Sequence, residues 1–167
     1  MRTITKCVLW LLALVAIAAL LFPVFAARRE KALERTCASN LNQISLGMMM
    51  YARDNDDHLP DAMRWPSQVY PYIRNDRVFI CPAAPRDTGR TYAMNLRYSG
   101  ARMHDFGNPF YLVIFYDADG YGRPVPRHHG GMNCSFINGY VYWMRGIPDG
   151  IDPPVNVAPP PKTGSRK

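Results

Sequence analysis

His128 and His129 precede a glycine pair, Gly130-Gly131, and then an Asn138-Gly139 step. The same chain carries Asp117, Asp119 and four cysteines, Cys7, Cys37, Cys81 and Cys134. Imidazole, carboxylate and thiol are the groups from which general bases, nucleophiles and metal centres are built. The components that usually accompany them are missing: the sequence contains no serine elbow, no phosphate-cradling glycine loop and no His-Glu-x-x-His helix. Adjacent histidines point to different sides of an extended chain, and a glycine pair marks a tight backbone passage. His128 is therefore expected to be a structural histidine, hydrogen-bonded to backbone or to a hairpin turn. His128, Gly130, Gly131, Asn138 and Gly139 then form a structural signature, with no catalytic residue assigned and no enzyme expected.

Metal binding is weighed on the same terms. Asp117-Ala118-Asp119-Gly120 resembles the start of a calcium loop but lacks the closing glutamate, and calcium takes six to eight oxygens. Asp54, Asp56, Asp57 and Asp61 form a second acidic group. Solvated loop carboxylates are the expectation in both places, with calcium at Asp117 and Asp119 as the alternative; no other cofactor is implied. Zinc is disfavoured because no Cys-x-x-Cys or His-x3-His spacing occurs. Cys7 lies in an apolar stretch, which leaves Cys37, Cys81 and Cys134 as candidates for pairing. A Cys37–Cys81 bridge is expected, stapling the first helix to the sheet, with three reduced, buried cysteines as the alternative.

The elements that must position these residues begin with a segment free of charge from Cys7 to Ala27, long enough to cross a bilayer as a helix. Residues 1–27 are read as a transmembrane anchor. Basic residues flank both ends (Arg2 and Lys6 before, Arg28, Arg29, Lys31 and Arg35 after), so charge does not orient it. A cleaved secretory signal ending at Val24-Phe25-Ala26 is the competing reading, and either sends the remainder out of the cytoplasm. Beyond the anchor, Leu33, Cys37, Leu41, Ile44, Met48 and Tyr51 recur at helical spacing, which predicts one long helix bent at Pro23 and ended by Asp54 to Asp57 and Pro60.

The rest of the chain allows one modest domain, 28–145. Trp65 to Arg74 reads as a short helix or turn. Strands are predicted at Val78–Cys81, Thr91–Asn95, Phe110–Tyr116, Cys134–Ile137 and Tyr140–Met144. Asn138-Gly139 joins the last two as a type I′ hairpin, and Phe110, Tyr111, Phe115, Tyr142 and Trp143 are assigned to the core. Residues 146–167, rich in proline and small residues, read as a disordered or extended tail. The net charge of +7 is spread along the chain and no nucleic-acid module is recognisable, so nucleic acid is not an expected partner.

The run Ala19 to Pro60 resembles the N-terminal helix of bacterial prepilin-type proteins. More narrowly, it is similar to pseudopilin-like proteins with a "His, nine residues, Asp-Gly" signature. Trp65, Pro71-Tyr72, Cys81-Pro82, Tyr92-Ala93-Met94-Asn95, Arg127-His128, Gly130-Gly131 and Asn138-Gly139 carry the likeness, which spans roughly residues 8 to 144. It implies an α+β fold, with a long N-terminal helix packed on a small antiparallel sheet. It also implies a single-pass inner-membrane subunit with its domain outside the cytoplasm, assembling with other pilin-like subunits into a pilus-like or type II secretion filament. Two positions depart from the pattern: Lys6 stands where prepilins carry the glutamate that follows their cleavage site, and Asn138 stands where the signature has Asp. The alternatives are an anchored, non-polymerising module that binds a ligand or cation, and a secreted protein with its signal removed.

Overall fold

The computed structural model describes residues 2–85, 89–107 and 112–153. Helix α1 runs Arg2–Asp54 with Pro23 inside it. The chain divides into two compact units, Met1–Ala32 and Leu33–Lys167, so the boundary falls five residues later than the one expected after Ala27.

In the first unit the apolar side chains of the helix are exposed along its length: Trp10 is 73% and Leu20 75% accessible. The segment is long and apolar enough to cross a membrane, and none of its most apolar stretch is buried. Such a surface is at ease in lipid or against other apolar helices and is costly in water.

In the second unit the same helix is amphipathic. Cys37, Leu41, Ile44 and Met48 are fully buried, as their spacing predicts, while Leu33 and Tyr51 lie at half-buried positions. The helix stops where short polar side chains take over its backbone groups. The Asn55 amide donates from Nδ2 to the Tyr51 carbonyl at 2.8 Å, the Asp57 N–H donates to the Ala52 carbonyl at 2.9 Å, and Asp56 and Asp57 turn left-handed. Helix α2, Trp65–Ile73, tolerates Pro66 in its first turn and packs closely on α1. A Cβ placed on Gly47 would lie 2.7 Å from Val69 and 2.8 Å from Ile73.

Among the described residues, four antiparallel strands form one sheet in chain order: β1 Tyr92–Met94, β2 Val113–Asp117, β3 Gly131–Phe136 and β4 Val141–Arg145. The α+β arrangement implied by the resemblance is the one observed, with the helix packed against a small antiparallel sheet. Side chains alternate across the strands. Tyr92, Met94, Phe115 and Ile137 join the helical stripe in one cluster, where Trp65 packs its ring 4.7 Å from that of Phe115. Ala93, Tyr116, Met132, Cys134 and Phe136 form a second cluster.

Several details differ from expectation. Val78–Cys81 is not a strand. Asp76–Phe79 forms a 3-10 turn, because the Asn75 side chain accepts from the Arg77 N–H at 3.1 Å and the Ile80 N–H closes on the Arg77 carbonyl. Tyr142 and Trp143 are not core residues: β4 is an edge strand, and Tyr142 is 56% exposed. Phe110 and Tyr111 lie outside the described residues. The first part of the expected tail is pinned to the domain. The Leu96 N–H donates to the Asp152 carbonyl, the Asp152 N–H to Asn95 Oδ1, and Asn95 Nδ2 to the Gly150 carbonyl, while Ile151 packs on the second cluster. Residues 154–167 lie outside the described set.

Candidate functional site

The histidine signature is built from two different turns. His129 and Gly130 both have positive φ, 50° and 73°, and His128 and Gly131 exchange both backbone hydrogen bonds at 2.8 and 2.9 Å. This is the pattern of a type I′ turn, which needs positive φ at both central positions. The turn expected at Asn138-Gly139 is of another kind. There only Gly139 has positive φ, 86°, and its N–H donates to the Phe136 carbonyl, so a type I turn ends in a left-handed glycine. Asn138 contributes through its side chain, which accepts from the Tyr140 N–H at 3.1 Å. The type I′ geometry belongs to the histidines instead. It leaves His129 exposed and His128 fully buried.

Gly131 is required by contact. A Cβ there would lie 2.3 Å from the Met144 carbonyl oxygen and 2.4 Å from the Trp143 ring. Trp143 covers the glycine and donates its indole N–H to the His128 carbonyl at 2.8 Å. The glycine, the tryptophan and the turn together hold the His128 backbone in place.

The buried imidazole meets three residues from distant parts of the chain. Cys37 comes from α1, Cys81 from the loop after the 3-10 turn, Asp117 from the end of β2 and His128 from the turn before β3. Their ligand atoms all lie within 4.8 Å of one another. Exposure is 0% for Cys37, Asp117 and His128 and 1% for Cys81. Cys37 Sγ lies 2.9 Å from Asp117 Oδ1, Cys81 Sγ lies 3.4 Å from His128 Nε2, and His128 Nε2 lies 3.8 Å from Asp117 Oδ2.

A surrounding layer fixes these groups. The Asn133 N–H donates to Asp117 Oδ2 at 2.8 Å, and the Tyr92 hydroxyl donates to Cys37 Sγ at 3.2 Å. Arg127 places a guanidinium nitrogen 3.7 Å from Asp117 Oδ1 and is anchored by a 2.8 Å bond to the Ala118 carbonyl. The Cys81 backbone N–H is tied to the Thr91 hydroxyl, and the Ala83 N–H is directed at the Cys81 sulfur.

Electrostatics in the cluster are strongly coupled. Burial pushes the Asp117 carboxyl up to about 6, against the lowering effect of the Cys37 thiol and the Asn133 N–H. The Cys81 thiol is lowered, first by the neighbouring Cys37 thiol, against the opposing effect of burial, and then by His128 and the Ala83 N–H. Cys37 is pushed up, chiefly by burial and then by its neighbours Cys81 and Asp117. Soft sulfur, imidazole nitrogen and carboxylate oxygen in one dry site make a donor set suited to a transition-metal cation.

The expected bridge partners are neighbours in this cluster, present as free thiols. Cys134 belongs to the second cluster, where burial pushes its thiol up to about 12. The two calcium candidates have separate duties. Asp117 faces the sulfur cluster, while Asp119 closes its own turn, accepting from the Tyr121 and Arg123 N–H groups, each at 2.9 Å, and from Arg123 Nε at 2.8 Å. The four-residue cluster was invisible to spacing rules because each ligand comes from a different segment. The one local cue was that Cys81 and His128 each stand beside a turn-forming residue, Pro82 and His129.

No family model matches this chain, and no curated protein or solved structure matches it either.

Proposed function

We propose that the protein is a membrane-anchored, pseudopilin-like structural subunit whose α+β domain lies outside the cytoplasm and which assembles with pilin-like partners in a pilus-like or secretion apparatus. The observation that supports this reading most is the division of labour within α1. Its first part exposes an apolar surface fit for lipid or for other helices, and its second part supplies a stripe buried in the domain core. Lateral packing of apolar helices can hold subunits together in a bilayer or a fibre. In this reading the signature residues shape the domain rather than react, and the protein is not an enzyme.

The test has two parts, both on the full chain recovered from membranes. Intact mass should show that the apolar segment is retained, whereas a mature chain starting at Ala27 would sink the proposal. Single cysteines at successive exposed positions, Leu11, Leu12 and Leu14, should form oxidative cross-links between copies or to pilin-like partners on one helical face. A retained anchor with no cross-link at any position would instead favour the non-polymerising module, for which Lys6, at the position of the prepilin glutamate, already argues.

A further inference from the structure

We propose that Cys37, Cys81, Asp117 and His128 bind one Zn²⁺ ion, a structural metal that clamps helix α1, the Cys81 loop, strand β2 and the His128 turn together. This proposal does not rest on the subunit reading above.

Geometry carries it. Zinc in structural sites is tetrahedral, with bonds of about 2.3 Å to sulfur and about 2.0–2.2 Å to nitrogen and oxygen. The donors of such a site therefore stand about 3.3–3.8 Å apart. The Cys81–His128 separation of 3.4 Å falls inside that range, and the His128–Asp117 separation of 3.8 Å is a few tenths of an ångström wider than a nitrogen–oxygen pair on zinc requires. The 2.9 Å contact between Cys37 and Asp117 has to open by about 0.7 Å, and the wider separations in the cluster, up to 4.8 Å, have to close. All four ligand atoms already lie within 4.8 Å of one another, with every residue buried.

Charge balance points the same way. Two thiolates, a carboxylate and a neutral imidazole carry three negative charges, and Zn²⁺ leaves one. Arg127, 3.7 Å from Asp117 and with its side chain only 9% exposed, cancels that one. The outer layer has the character of a metal site: ligating carboxylates are normally hydrogen-bonded in turn, as Asp117 is by Asn133. Tyr92 and the Ala83 N–H supply hydrogen bonds directed at the two sulfurs.

A Cys37–Cys81 disulfide is the competing state. It would remove the S–H that Cys37 directs at Asp117, a contact the reduced state keeps. Two sulfur donors also select zinc over calcium, which takes oxygen.

The experiment uses the full chain, without added histidines, purified from membranes in detergent and without chelator. Elemental analysis should give one zinc per chain, with Cys37 and Cys81 protected from alkylation until a chelator strips the metal. Cobalt loaded into the stripped, reduced chain should give thiolate-to-cobalt charge-transfer absorption and the intense visible bands of a tetrahedral site. X-ray absorption at the metal should find two sulfur and two lighter ligands. Cys81→Ser and Asp117→Asn should weaken cobalt binding more than about tenfold. His104→Ala, at an exposed histidine that pairs with Asp57 outside the cluster, should leave it unchanged. The proposal is overturned if the isolated chain carries a Cys37–Cys81 disulfide and no metal. It is overturned equally by failure of the reduced chain to bind cobalt in tetrahedral form, or by zinc that survives Cys81→Ser as fully as His104→Ala.

Discussion

Gly130 and Gly131 are neighbours that resist substitution for different reasons, and the difference is measurable. At Gly131 an added methyl group would lie 2.3 Å from the Met144 carbonyl oxygen and 2.4 and 2.5 Å from two Trp143 ring atoms, where ordinary contact begins at 3.4 Å. The neighbours must retreat by about 1 Å, and one of them is backbone of the paired strand. Overpacking of this kind costs about 1–3 kcal/mol. Displacing Trp143 also strains its 2.8 Å bond to the His128 carbonyl, whose loss costs about 1 kcal/mol more. Gly131→Ala should therefore destabilise the domain by about 2–4 kcal/mol. At Gly130 the added methyl meets nothing within 4 Å, and only the positive φ opposes it, at about 1–2 kcal/mol. Thermal unfolding of the full chain in detergent, followed by tryptophan fluorescence, reads both, at about 4 °C of midpoint per kcal/mol for a domain of this size. Asparagine tolerates the left-handed region, so Gly130→Asn should recover part of the loss while Gly131→Asn should not. The reasoning fails if Gly131→Ala is no more damaging than Gly130→Ala, or if asparagine is worse than alanine at position 130.

Two further predictions concern other parts of the domain. Burial alone would raise the Asp119 carboxyl, but the Arg123 and Tyr121 N–H groups and the Arg123 side chain outweigh it and leave its pKa below the ordinary 3.8. A depressed folded pKa gives stability that is present above the unfolded value and lost as pH falls through the folded one. Asp119→Ala should therefore be less stable than the parent near neutral pH, with the gap closing as pH drops below 3.8; a gap that stays constant across an acid titration would contradict this. Ile151→Ala, which removes a half-buried side chain packed on the second cluster, should cost about 1 kcal/mol, and an unchanged thermal midpoint would contradict the pinning of residues 150–152.

The fold was largely legible because its signals are periodic and local. The helical stripe from Cys37 to Met48 follows a single repeat, and the runs that became β1, β3 and β4 are short, apolar and bounded by turn residues. What could not be read depended on partners far along the chain. Trp143 looked like core, but a strand's apolarity does not say whether it lies at the edge of its sheet. The turn type was misplaced for a related reason: Asn-Gly favours type I′ on its own, yet the bond between the Phe136 N–H and the Tyr140 carbonyl sets a three-residue loop there. His129-Gly130 takes the type I′ geometry instead, with Gly131 following it close beneath Trp143. The cluster was hidden for the same reason. Cys37 and Cys81 could be matched as a pair of thiols, but Asp117 and His128 join them only once the sheet is formed.

The strand order has a consequence in time. Each strand pairs with its neighbour in sequence, so every pairing closes a modest loop and the sheet can zip from local contacts alone. Cys37, in contrast, waits for a partner 80 residues downstream, and Cys81 waits 47 residues for His128. Loop closure grows only slowly with length, so the distance hardly affects final stability, but it governs the schedule. Chains emerge from synthesis with their N-terminus first, and the buried stripe of α1 is made long before Phe115, Asp117 or His128 exists to cover it. The stripe meets α2 early, through Val69 and Trp65, but is fully covered only when the sheet is complete. Cys37 and the rest of the stripe remain open to chaperones, oxidants or neighbouring copies until the final hairpin arrives.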